Sequence, residues 1–182
     1  MRVTRRHQAG NGRKELKASE CLTLHGGCRL LSKSPLGYVD VRVFVHATED
    51  EEKVLTAVRN ILPREVAEDA VFTRKNLSGH HGNPILLVEA KLTDRAKLPM
   101  VLKKIAESLS PLDRENLTEN IETHMERGNL YLRLDKQAAY FGKVKLGSAD
   151  AVHLKFHFRN RTVVEILDFC TDAGLIHAEN LH

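Results

Sequence analysis

Val39, Val41, Val43 and Val45 alternate with Asp40, Arg42, Phe44 and His46. A period of two places the valines on one side of a strand, so a half-buried strand is predicted over 38–47. The period then changes to that of a helix. Thr48 and Glu51 stand at capping-box spacing, and Val54, Leu55, Val58, Ile61 and Leu62 form one apolar face that Pro63 stops. Two strands are expected over 70–75 and 85–92, joined as a hairpin by the polar loop Ser78, Gly79, His80, His81, Gly82, Asn83, Pro84.

Leu98, Val101, Leu102, Ile105 and Leu109 mark a second helix, with Pro99 acceptable in its first turn. Pro111 opens a third, whose inner edge is Leu117, Ile121 and Met125 and whose cap is expected at Gly128. Strand patterning returns at Leu130, Leu132 and Leu134. A short strand is expected near Val144, and another over 151–159 with Val152, Leu154, Phe156 and Phe158 facing inward. The last helix has the capping box Thr162 and Glu165, the core stripe Val163, Ile166, Leu167 and Cys170, and the stop Gly174. The predicted order is β-α-β-β-α-α-β-β-β-α. Hairpins imply antiparallel pairing, so the fold class is α+β, an antiparallel sheet with helices packed on one face.

Residues 1–37 carry no sustained period and contain Gly10-Asn11-Gly12, Gly26-Gly27 and Ser34-Pro35. They are expected to be a flexible basic leader or the product of a translation start placed too far upstream, with a single domain over 38–182. Charge sharpens this division. The leader holds eight Lys/Arg against Glu15 and Glu20, whereas the remaining chain holds twenty basic and twenty-two acidic residues. The net charge of +4 therefore belongs to the leader, and a nucleic-acid reading of the domain needs a local patch. Between Arg127 and Arg161 eight basic residues face only Asp135 and Asp150.

No apolar run reaches the roughly 18 residues of a membrane span, and the N-terminus lacks a secretory signal's apolar stretch. Cys21, Cys28 and Cys170 are too few and too scattered for a disulfide framework. The expected location is cytoplasmic, with no membrane partner. No Gly-x-Ser-x-Gly elbow, P-loop or His-Glu-x-x-His helix is present. The carboxylates of 49–52 and 107–126 read as a helix start and a solvated helix face, so no catalytic residues are assigned.

Period-two alternation puts His153, Lys155, His157 and Arg159 in one row opposite the apolar side of their strand. Tyr131 and Arg133 hold the equivalent face of another strand, and Arg42, Phe44 and His46 that of the first. If these strands are neighbours, cations and rings share one sheet face, which suits phosphates and splayed bases. A solvated face, or one covered by a helix or a second subunit, is the alternative. Lys136, Gln137 and Tyr140, where a strand ends, could hold a phosphate, a base edge and a ring, or Tyr140 and Phe141 could be core. His80 and His81 sit on the predicted hairpin turn and read as RNA contacts in preference to metal ligands, since no carboxylate stands at a ligand spacing. Cys21, His25 and Cys28 would lack a fourth zinc ligand, and no cofactor or metal is assigned.

The strings Gly79-His80-His81-Gly82-Asn83-Pro84 and 129–142, from Asn129-Leu130-Tyr131 through Arg133-Leu134-Asp135-Lys136-Gln137 to Tyr140-Phe141-Gly142, resemble a family of archaeal predicted RNA-binding proteins. The resemblance runs from Tyr38 to the last helix. It implies a fold like that of ribosomal protein L-five, RNA binding without a cofactor, and a predicted association with the RNA-degrading exosome. It also leaves room for a homodimer or a place in an RNA-processing complex. Members of that family begin almost directly at the first strand, so residues 1–37 are a departure. Non-catalytic binding of structured RNA is thus the expected function. A protein–protein assembly module is the first alternative and a metal-dependent RNA hydrolase the second.

Overall fold

The computed structural model describes residues 34–79 and 83–177. Six strands form one antiparallel sheet: β1 (Leu36–His46), β2 (Phe72–Ser78), β3 (Pro84–Leu92), β4 (Met125–Glu126), β5 (Asn129–Asp135) and β6 (Ala151–Phe158). Their spatial order is β2-β3-β1-β6-β5-β4. The helices are α1 (Glu51–Ile61), α2 (Arg64–Asp69), α3 (Leu98–Ser108), α4 (Pro111–Glu119), α5 (Lys136–Tyr140) and α6 (Val163–Asp172), with a 3-10 turn at Ile121–His124. The α+β class follows from the alternation: Val39, Val41, Val43 and Val45 of β1 and Val152, Leu154, Phe156 and Phe158 of β6 are all buried. They meet Leu55, Val58, Leu102, Ile105, Leu117 and Ile166 of the helices in a continuous core. Among the described residues no helix is long and apolar enough to cross a membrane.

Several local expectations are corrected. Asp50, not Thr48, caps α1, because its carboxylate reaches the Glu52 and Lys53 amides, while Glu49 turns back to accept from the His46 amide. Pro63 ends α1 but also leads directly into α2, an extra helix that delays β2 to Phe72. The third predicted helix stops at Asn120, and Met125 enters β4. Gly128 is therefore no helix cap. With Arg127 (φ 48°) it forms a two-residue hairpin turn, and its φ of 74° needs a residue free of a Cβ. Near Val144 no strand forms among the described residues; Asp135 instead caps the short α5 by accepting from the Ala138 amide at 2.7 Å, and a single bridge joins Leu134 to Leu146.

The last helix matches its sequence signals closely. Thr162 and Glu165 form both halves of the capping box. At the other end Gly174 takes φ 74°, and the Leu175 and Gly174 amides return to the Cys170 and Thr171 carbonyls, each at 2.9 Å. Val163, expected in the core stripe, is half exposed, because only Ile166 and Cys170 point squarely inward. Burial pushes the Cys170 thiol up to about 12, so this cysteine is an inert core residue. β1 begins at the fully buried Leu36, two residues ahead of the expected boundary.

Candidate nucleic-acid interface

No described helix covers the second face of the sheet, and strand register determines which side chains share it. One row across the sheet runs Glu89, Arg42, His153 and Arg133, from β3 through β1 and β6 to β5. The next runs Lys91, Asp40, Lys155 and Tyr131, and a third joins Tyr38, His157 and Asn129. The condition posed by the sequence, that β1, β5 and β6 be neighbours, is thus met with β6 in the middle.

Rings and cations interlock on this face. The Lys155 ammonium lies 5.9 Å from the centres of both the Tyr38 and Tyr131 rings, and the Lys91 ammonium lies 4.0 Å from that of Tyr38. His157 stacks on Tyr38 at 4.6 Å, and its Nδ1 donates to the Asn129 side-chain oxygen at 2.8 Å. Asn129 is itself tied by its amide to the Glu126 and Arg127 carbonyls, so the imidazole is held from a rigid hairpin turn. His153 meets Phe44 edge to face.

Of the carboxylates on this surface, Asp40 stands between Lys91 and Lys155 in its row, and Glu89 is spent. Glu89 binds Arg42 at 3.0 Å and Lys75 at 2.5 Å. The Lys75 hydrogen bond, with Lys75 and Arg42 charges and against burial, holds its carboxyl below the usual range. Arg133, Lys155 and Lys91 make no ion pair among the described residues, so their charge faces solvent. Arg159 continues the row past the end of β6, where its amide donates to the Pro35 carbonyl at 3.0 Å. Gly37 makes this crossing possible: a Cβ there would stand 2.8 Å from the Arg159 side chain.

The remaining residues singled out by the sequence go elsewhere. Lys136 is buried, with 4% of its surface exposed; its ammonium donates to Glu49 at 2.6 Å and the Phe44 carbonyl at 3.0 Å, and pairs with Asp150 at 2.6 Å. It cannot reach a phosphate on the sheet, and its expected role as a contact is replaced by a structural one. His46, Glu49 and Asp150 are the metal-capable cluster found among the described residues, and the Lys136 ammonium pairs with both of its carboxylates. Gln137 and Tyr140 sit on α5, at its contact with α1, where the Asn60 amide donates to the Ala139 and Tyr140 carbonyls. Tyr140 and the strongly exposed Phe141 are not core. His80 and His81, like Cys21, His25 and Cys28, lie outside the described residues. Sequence reading missed Tyr38, Lys91 and Asn129; the alternation of Leu87, Glu89 and Lys91 in β3 was the available signal.

A family model described as RNA binding matches residues 38–158, from within β1 to the end of β6. The chain belongs to this RNA-binding family. "RNA-binding protein PAB1135" of Pyrococcus abyssi is 38% identical over 120 residues, covering 64% of this chain and 78% of that protein. Among solved structures, protein AF2318 from Archaeglobus fulgidus, of family DUF54, superposes with a TM-score of 0.64 at 26% identity, over 76% of this chain and 99% of its own. Mth689, a DUF54 protein from Methanothermobacter thermautotrophicus, gives 0.61 at 31% identity, over 74% and 98%.

Within the RNA-binding family's sheet, His153 is shifted from its ordinary titration. Burial, followed by the Arg133 and Arg42 charges, holds its imidazole below the ordinary value of 6.5. It is therefore less protonated than an exposed histidine at the same pH. Its contribution to any rise in binding as pH falls is correspondingly reduced. In Arg133→Ala the NMR titration midpoint of His153 should move upward toward 6.5. An unchanged midpoint would show that the Arg133 charge does not reach the ring.

Proposed function

We propose that this protein binds structured RNA through the open face of its sheet and does not cleave it. The observation that carries the reading is Lys155 held between the Tyr38 and Tyr131 rings beside Arg133, neither cation making an ion pair among the described residues. Cations of this kind neutralise phosphate, and rings placed between them offer stacking surfaces to any base that leaves a helix. RNA-binding family membership supports the ligand class. The non-catalytic reading is supported by the predominance of amines, guanidinium groups and rings on the face, where Asp40 and Glu126 are the carboxylates that line the central depression. The proposal extends to a cytosolic role in RNA processing or degradation on a ribosomal protein L-five-like architecture.

Ultraviolet crosslinking of the full-length protein to RNA, followed by peptide mass spectrometry, tests the placement. Adducts are expected at Tyr38, Phe44 and Tyr131. Adducts confined to the helical side or to residues 1–33 would overturn the sheet as the binding surface. Intact RNA after incubation with Mg²⁺ or Mn²⁺ is the outcome expected of a binder, and cleavage abolished by chelator would overturn the non-catalytic part.

A further inference from the structure

We infer that the groove beside β5 receives one unpaired nucleotide of the RNA bound on the sheet. The inference rests on the RNA reading above and adds what that RNA must contain. The groove encloses about 640 Å³ between α4 with the 3-10 turn on one side and residues 146–148 on the other. Tyr131 and Arg133 line both this groove and the depression of about 480 Å³ over the sheet face, so the two form one continuous surface.

The walls are fixed and, Asp113 and Arg133 apart, their side chains are uncharged polar groups, rings and Leu146. The Gly147 amide donates to the Arg133 carbonyl at 3.0 Å, and a Cβ on Gly147 would lie 3.0 Å from the Asp135 backbone, so this wall is pressed against the strand. Opposite it, the Thr123 hydroxyl and the Asn120 amide are anchored to the turns of their own segment. Among the described residues the Asn116 and Ser148 side chains make no hydrogen bond and remain available, one from each wall. His124 Nδ1 donates to the Tyr131 carbonyl at 2.9 Å, which leaves Nε2 as the ring nitrogen open to a further hydrogen bond.

A base edge needs neutral donors and acceptors of this mixed kind, together with a ring or guanidinium plane for stacking. A phosphate does not suit the interior, because Asp113 adds a carboxylate there and the groove's cation, Arg133, stands where it opens onto the sheet. The geometry thus places the phosphate on Arg133 at the lip and the base inside. A paired base cannot enter, so the occupant is a bulged or unpaired nucleotide.

Two blunt RNA duplexes test this, identical except that one carries a single-nucleotide bulge, titrated against the full-length protein at equal salt. The bulged duplex is expected to bind at least about tenfold more tightly, as loss or gain of one stacked base commonly produces. Asn116→Leu and Ser148→Leu, which fill the groove from opposite walls at exposed positions, should each abolish that preference. Affinity for the fully paired duplex should stay within about twofold of wild type, the sheet being untouched. Equal affinity of wild type for both duplexes overturns the groove inference alone, as does a preference that survives in either folded variant. Failure to bind either duplex at low salt overturns the RNA reading beneath it.

Discussion

Replacing Arg133 and Lys155 together by alanine is expected to lower RNA affinity by about tenfold to a hundredfold at physiological salt and to flatten its salt dependence. Each phosphate neutralised by a basic side chain releases condensed counterions, and contributes about 0.7–0.9 to the slope of log K against log salt. Losing two contacts should therefore reduce the slope by roughly 1.4–1.8. These two cations are chosen because neither makes an ion pair among the described residues, and both occupy the central strands of the open face. Arg42 is a weaker choice, since its charge is shared with Glu89. The matched control is Arg64→Ala with Lys103→Ala on the helical side, whose charges pair with Glu68 and Glu107 along their own helices. That pair should leave both affinity and slope within error of wild type. Unchanged binding in the Arg133/Lys155 variant, with the control equal to it, would remove these two cations from the binding surface.

How much of this was legible in the sequence depended on the range of the interaction that decides it. The row of His153, Lys155 and His157 was legible because period-two alternation is local, and β6 keeps that alternation without a bulge. The capping box of α6 and its Gly174 stop were legible for the same reason. The partners of the row were not. Tyr38, Lys91 and Asn129 join it only through the pairing of β1 with β3 and β6 and of β6 with β5, contacts between segments tens of residues apart. The β4–β5 hairpin was hidden by the helical spacing of Leu117, Ile121 and Met125, which tertiary packing splits between α4, a 3-10 turn and a strand. Lys136 illustrates the limit most clearly. A lysine in a basic, polar segment reads as solvent-exposed, and only the meeting of the β1 end, Asp150 and α5 buries it.

Lys136→Met should destabilise the fold by about 2–3 kcal/mol while leaving the salt dependence of RNA binding unchanged. Methionine keeps the length and most of the packing volume, so the variant isolates the ammonium. Its removal leaves the Phe44 carbonyl, Glu49 and Asp150 without their common donor. A fully buried pair broken in this way costs about 3–5 kcal/mol, but Glu49 and Asp150 keep partial access to water, which reduces the penalty. Even so, this is a substantial share of the roughly 5–15 kcal/mol that holds a domain together. The pH dependence supplies a second readout. Burial alone would raise the Glu49 carboxyl, yet the His46 amide and the Lys136 hydrogen bond and charge outweigh it and hold the group below the ordinary 4.5. A depressed carboxyl stabilises the fold above its unfolded value and loses that contribution as pH falls through its folded one. The gap in unfolding free energy between wild type and Lys136→Met should thus be widest near pH 7 and narrow below pH about 4.5. Urea titrations at pH 7 and pH 4 measure it. A variant as stable as wild type at pH 7 would mean that water replaces the ammonium at no cost, and a reduced salt slope for RNA would return Lys136 to the binding surface.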